Sequence, residues 1–96
     1  MRRRRNVYRN YSDPLYVRWR KKVYFRDNHS CQLCGSKKLL EAHHIKRWSD
    51  FPQLRFDPNN GVTLCRVCHK KVTSSEESWE ALFIKIVARN NGPKEK

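Results

Sequence analysis

Cys31-x-x-Cys34 and Cys65-x-x-Cys68 are two pairs of identical internal spacing, set about thirty residues apart. Between them lies Ala42-His43-His44-Ile45, and the second pair runs directly into His69. Two such knuckles are the usual way to supply four thiolates to one tetrahedral zinc ion. The alternative is a pair of disulfides in a secreted mini-protein. That requires an export signal, and Met1-Arg2-Arg3-Arg4-Arg5-Asn6-Val7-Tyr8 has a basic start with no apolar run behind it. Disulfide frameworks also space their cysteines less regularly. Zinc answers a size problem as well. A chain of 96 residues with 38% hydrophobic side chains buries only a modest core, and a metal tie adds folding energy directly. The expectation is one structural Zn²⁺ on Cys31, Cys34, Cys65 and Cys68.

Charge narrows the class of partner. Lys and Arg total 22 against 9 Asp and Glu, a formal net charge of +13. On so short a chain this is the electrostatic footprint of a polyanion binder. Ten of the basic residues fall in the first 26 positions, opposed there only by Asp13. A basic membrane-surface segment is the competing reading. The apolar residues are interleaved with Arg and Lys, and no stretch approaches the length of a bilayer span, so a nucleic acid is favoured over a membrane. Arg2, Arg3, Arg4, Arg5 and Arg9 on an N-terminal arm, with Arg18, Lys21 and Lys22 as a basic helical stripe, are the candidate phosphate contacts.

The chain reads as a small α+β protein with one domain. Residues 1–11 are the basic arm, 12–92 the domain and 93–96 a tail. Ser12-Asp13-Pro14 starts a helix over 12–28, with Leu15, Tyr16, Trp19 and Val23 as its apolar face. Residues 39–45 and 61–64 read as short strands, and 46–60, with Pro52 and Pro58, as a loop. A short helix over 66–73 follows the second knuckle. Trp79, Leu82, Phe83, Ile86 and Val87 recur at helical spacing, predicting a C-terminal helix over 74–91 with a Ser74–Glu77 capping box and a Gly92-Pro93 stop.

With four cysteines satisfying the zinc, His43, His44 and His69 have no structural-metal task. His29 is read as a surface residue. Neighbours on a strand point to opposite faces, so one of His43 and His44 can bind a cation while the other reaches elsewhere. The plainer alternative is one histidine buried and hydrogen-bonded, the other exposed. His69 follows the second knuckle at once, and a shared zinc draws that knuckle beside the first. A two-histidine cation site with a third histidine spare is an expectation that stands beside that alternative.

At these residues the chain resembles the HNH endonuclease family, the ββα-metal nucleases, over residues 31–73. The resemblance is carried by the two knuckles, Ala42-His43-His44-Ile45, Asn59-Asn60-Gly61-Val62-Thr63-Leu64 and His69 in this order. Trp48, Pro52 and Arg55-Phe56-Asp57 are similar to the loop of short free-standing phage HNH proteins. It implies a ββα-metal motif flanked by N- and C-terminal helices, and a hydrolase that cuts DNA phosphodiester bonds. His44 would be the general base and open to solvent, His43 and His69 the ligands of a catalytic cation, and Asn60 the residue that ties down the loop and orients the base. Some relatives place a further histidine ligand where this chain has Thr73. Two protein ligands suit Mg²⁺ or Mn²⁺ better than tightly held Zn²⁺ or Ni²⁺. The resemblance also implies work beside phage DNA packaging, with a terminase or another DNA-processing enzyme as partner, in the cytoplasm of the host cell. The rival readings are a non-catalytic zinc-ribbon DNA-binding protein and an accessory factor of a larger DNA-processing enzyme.

Overall fold

The protein is described by a computed structural model over residues 10–92. The proposed contacts Arg2, Arg3, Arg4, Arg5 and Arg9 and the tail at 93–96 lie outside the described residues. The described residues make a small α+β fold of three helices and one two-stranded antiparallel sheet. Helix α1 is Pro14–Arg26, strand β1 Leu40–His44, strand β2 Gly61–Cys65, helix α2 Arg66–Thr73 and helix α3 Glu76–Asn91. Residues 46–60 are not a plain loop, because Pro52–Leu54 and Pro58–Asn60 each form a single 3₁₀ turn.

Helix α1 starts where Pro14 fixes the first turn and the Asp13 carboxylate accepts the Leu15 N–H at 2.8 Å. It ends before Asn28 and His29, which both take left-handed backbone and turn the chain into the first knuckle. Tyr16, Trp19 and Val23 are buried on it, whereas Leu15, expected on the apolar face, is 48% exposed. At 100° per residue Leu15 sits at the edge of that stripe, and the sheet does not reach it. Asp27 anchors the helix end. Its carboxylate pairs with Arg26 and accepts from the buried Thr63 N–H at 2.8 Å and the Asn90 amide at 2.8 Å.

The sheet pairs Leu40 with Cys65, Ala42 with Thr63, His43 with Val62 and His44 with Gly61. It lies between α1 on one side and α2 with α3 on the other, so every residue of β2 is buried. Ala42 packs with Tyr16, Trp19, Val23 and Trp48 on the α1 side. Ile45, Val62 and Leu64 join Val72, Phe83, Ile86 and Val87 on the other. Gly61 is where α1 comes closest. A Cβ there would stand 2.6 Å from both Trp19 and Val23, so only glycine lets the Trp19 ring settle beside His44.

Helix α3 buries Phe83, Ile86 and Val87 as its spacing predicts, while Leu82 is exposed and Trp79 only half-buried. The Ser74–Glu77 capping box does not form. Ser74 is spent as the C-cap of α2, so α3 starts one residue later, with Ser75 at its N-cap and the Ser75 hydroxyl accepting from the Trp79 indole at 3.3 Å. No helix among the described residues is long and apolar enough to cross a membrane.

Candidate active site

The two knuckles close on each other. The sulfurs of Cys31, Cys34, Cys65 and Cys68 all lie within 4.8 Å of one another. The Cys34 and Cys65 sulfurs are 3.6 Å apart, near the edge of roughly 3.8 Å that a tetrahedron with Zn–S bonds of about 2.3 Å requires. None of the four is in a disulfide. The first knuckle is shaped by the Gly35 N–H bonding the Cys31 carbonyl at 2.9 Å, with Gly35 at φ 83°. Cys31 and Cys68 are pushed in opposite directions. Burial works against the Cys31 thiolate, but N–H groups of Cys34, Cys65 and Leu33 bring it down to about 6. Burial and the neighbouring thiols push Cys68 up to about 12. The cluster can hold a zinc ion, and a doubly charged ion bound there would favour the thiolate form of all four ligands.

Strand alternation then separates the histidines. His43 points to the α2–α3 side, its ring centroid 5.2 Å from that of His69 and 5.5 Å from Phe83. His69 lies one residue beyond Cys68 on α2, so the knuckle that completes the sulfur cluster also sets this imidazole opposite His43. The Nδ1 of His69 is hydrogen-bonded to the Glu41 carboxylate. A carboxylate only accepts, so the proton is on Nδ1 and Nε2 is left as the nitrogen with a lone pair. Burial alone would raise the Glu41 carboxyl, yet the hydrogen bond from His69 and the Arg66 guanidinium hold it below its ordinary value. Among the described residues, no set of three His, Cys, Asp or Glu donors other than the four cysteines lies mutually within 4.8 Å. Thr73 is not a substitute, because its hydroxyl donates to the His69 carbonyl of its own helix at 2.7 Å. The donor set of two imidazoles fits a cation that keeps most of its sites for water and substrate.

His44 points the other way, and the expectation that it stands open to solvent is not met: it is 4% exposed. Its ring stacks on Trp19 with centroids 3.9 Å apart and planes at 12°, and Trp48 meets it edge-on at 5.3 Å. Tryptophans on both sides of a strand residue were not legible as neighbours before the fold was known. The His44 Nε2 lies 2.9 Å from the Arg55 carbonyl. A carbonyl can only accept, so Nε2 carries the hydrogen and Nδ1 is the basic nitrogen. Asn60 supports this arrangement from below. Its side chain accepts the Lys46 N–H at 2.7 Å and donates to the carbonyls of Lys46 at 3.1 Å and Leu54 at 3.2 Å, next to Arg55. Both strand histidines and His69 border one cavity of about 260 Å³, together with Arg47, Trp48 and Glu76.

The basic stripe chosen from the sequence faces elsewhere. Arg18, Lys21 and Lys22 are exposed on the side of α1 turned from the buried Tyr16, Trp19 and Val23. Arg20 and Arg47 are the cations beside the histidines, and neither was singled out. Glu41 was also missed. The signal for it was parity: two residues before His43 on a strand, it shares that histidine's face. Arg20 is one helical turn from Tyr16, a weaker cue.

Two short strands and a helix, closed by a four-cysteine cluster and bearing two facing histidines, define a ββα-metal unit. Residues 31–75 match the family model described as HNH endonuclease, so the resemblance holds for that segment. No curated protein and no solved structure matches the chain.

Proposed function

We propose that the protein is a metal-dependent DNA endonuclease of the HNH type, hydrolysing phosphodiester bonds. The observation that carries this reading is the approach of His43 and His69 to 5.2 Å within the segment that matches the family. A divalent cation bound there, Mg²⁺ or Mn²⁺, supplies Lewis-acid charge to the scissile phosphate and the departing oxygen. Glu41 fixes the tautomer and ring plane of His69. His44, held through Nε2 by the Arg55 carbonyl, takes a proton from the attacking water at Nδ1. The charge so gained lies against the face of Trp19, whose quadrupole favours a cation. Asn60 keeps the 46–60 segment, and with it the Arg55 carbonyl, in place. The net charge of +13 supplies backbone affinity for DNA, and a role beside a phage packaging enzyme belongs to the same proposal.

One observation favours a second reading. A general base that is 4% exposed has little open edge, whereas a non-catalytic, zinc-stabilised DNA-binding module would tolerate a buried His44. The cavity bordered by all three histidines keeps the first reading in play, although the His44 Nδ1 is itself buried, so that reading requires the edge of the ring to open when DNA binds. Supercoiled plasmid incubated with the zinc-loaded protein and Mg²⁺, Mn²⁺, added Zn²⁺ or no added cation separates the two. The nuclease produces nicked or linear DNA only with an added cation. Plasmid that is bound but uncut under every condition makes the second reading the correct one.

A further inference from the structure

A second cavity, of about 370 Å³, shares His69 with the first and has no part in the hydrolysis proposed above. Tyr11, Tyr16, Arg20, Tyr24 and Glu41 form most of its remaining wall. Its size falls in the range of roughly 300–1,000 Å³ typical of small-ligand sites. Tyr11 is 57% exposed and meets the buried Tyr16 edge-on, with centroids 5.1 Å apart. The Arg20 guanidinium lies 5.7 Å from the Tyr16 ring centre. Tyr24 is committed through its hydroxyl to the Leu40 carbonyl at 3.1 Å, so it offers its ring rather than its polar end. Glu41 is engaged by His69 and Arg66, so the charge this wall presents is that of Arg20.

Flat phenol rings beside a guanidinium are the parts with which proteins hold single nucleotides. The rings stack the base and the cation meets the flanking phosphate. A base inside a duplex is already stacked on both faces and cannot enter. We propose that this cavity accepts one unstacked nucleotide of the substrate strand, adjacent to the phosphate held at His43 and His69, so that the preferred substrate carries an unpaired nucleotide beside the cut. This rests on the nucleic-acid reading above and deepens it, because it names what the protein recognises besides backbone charge.

The test uses the full zinc-loaded chain without added divalent cation and three labelled probes of equal length, read by fluorescence anisotropy. One is a blunt duplex, the second carries a single bulged thymidine, and the third carries an abasic residue at the bulge. The bulged probe should bind about tenfold more tightly than its abasic twin, as loss of one base–aromatic stack implies. Tyr11→Ala should erase that difference and leave blunt-duplex affinity unchanged, and Tyr11→Phe should retain it. Arg20→Gln should weaken all three probes. Equal binding of bulged and abasic probes, or a uniform loss in Tyr11→Ala with melting temperature and zinc content intact, overturns the proposal. A base preference without cleavage under any cation supports the cavity and refutes the nuclease. Cleavage without a base preference does the reverse.

Discussion

Asn60→Ala removes a side chain that bonds three backbone groups of the segment carrying the Arg55 carbonyl. Asn60 is buried, so the Lys46 N–H is left partly shielded from water, and the Lys46 and Leu54 carbonyls lose a shared donor. A stranded buried donor costs about 1–3 kcal/mol, and water entering at the segment's outer edge recovers part of the carbonyl loss, so the sum should be about 2–3 kcal/mol. At about 4–8 °C per kcal/mol for a domain of this size, the melting temperature should fall by roughly 10–20 °C. The effect on cleavage is separate. Once the Arg55 carbonyl drifts, His44 loses its Nε2 anchor, and a displacement of about 1 Å costs on the order of 10²-fold in rate. Asn60→Asp keeps an acceptor for Lys46 N–H but sets an oxygen against two carbonyls, so it should do no better than alanine. Calorimetry of the zinc-loaded variants beside initial rates of plasmid cleavage, below the lowered melting temperature, reads both effects. An unchanged melting temperature, or a wild-type rate in the destabilised protein, refutes the linkage from Asn60 through residues 54 and 55 to His44.

Cys68→Ser should abolish stoichiometric zinc and cooperative unfolding, measured by metal analysis and calorimetry, because the sulfur cluster ties both knuckles together. Glu41→Gln should weaken Mn²⁺ binding by roughly 10–100-fold with the cysteine-bound zinc retained, as titration calorimetry would detect, since an outer carboxylate sets the ligand's orientation. Asp27→Ala should cost about 3–5 kcal/mol by denaturant unfolding, since it strands the buried Arg26 guanidinium as well as the Thr63 N–H.

The cysteine-bearing half of the fold was legible because its signals are short and chemically exclusive. Paired Cys-x-x-Cys spacing has few uses, and it fixes which ends of β2 and α2 must meet β1. The helix α2 and both strands fall within a residue of their expected bounds for that reason. What the sequence hid depends on long-range packing. Leu15 and Leu82 fit a helical stripe but lie where no other element of the described residues covers them. His44 shows no local sign that Trp19, twenty-five positions earlier, stacks on it; that contact exists only because Gly61 lets α1 close on the sheet. Arg18, Lys21 and Lys22 form a uniform stripe because none of the described residues packs over them, while Arg20 reaches the cavity by lying beside the buried face. Charge run and charge placement were different properties here.

The role of His44 is tested most directly by His44→Gln, which approximates the ring's volume and can still donate to the Arg55 carbonyl but cannot take a proton. Cleavage should fall by about 10²–10⁴-fold, the usual contribution of a general base, with DNA affinity and zinc content at wild-type levels. No cation at any concentration should restore the rate, whereas excess Mn²⁺ should partly restore His43→Ala and His69→Ala. A His44→Gln protein that cuts DNA at the wild-type rate would contradict the assignment outright.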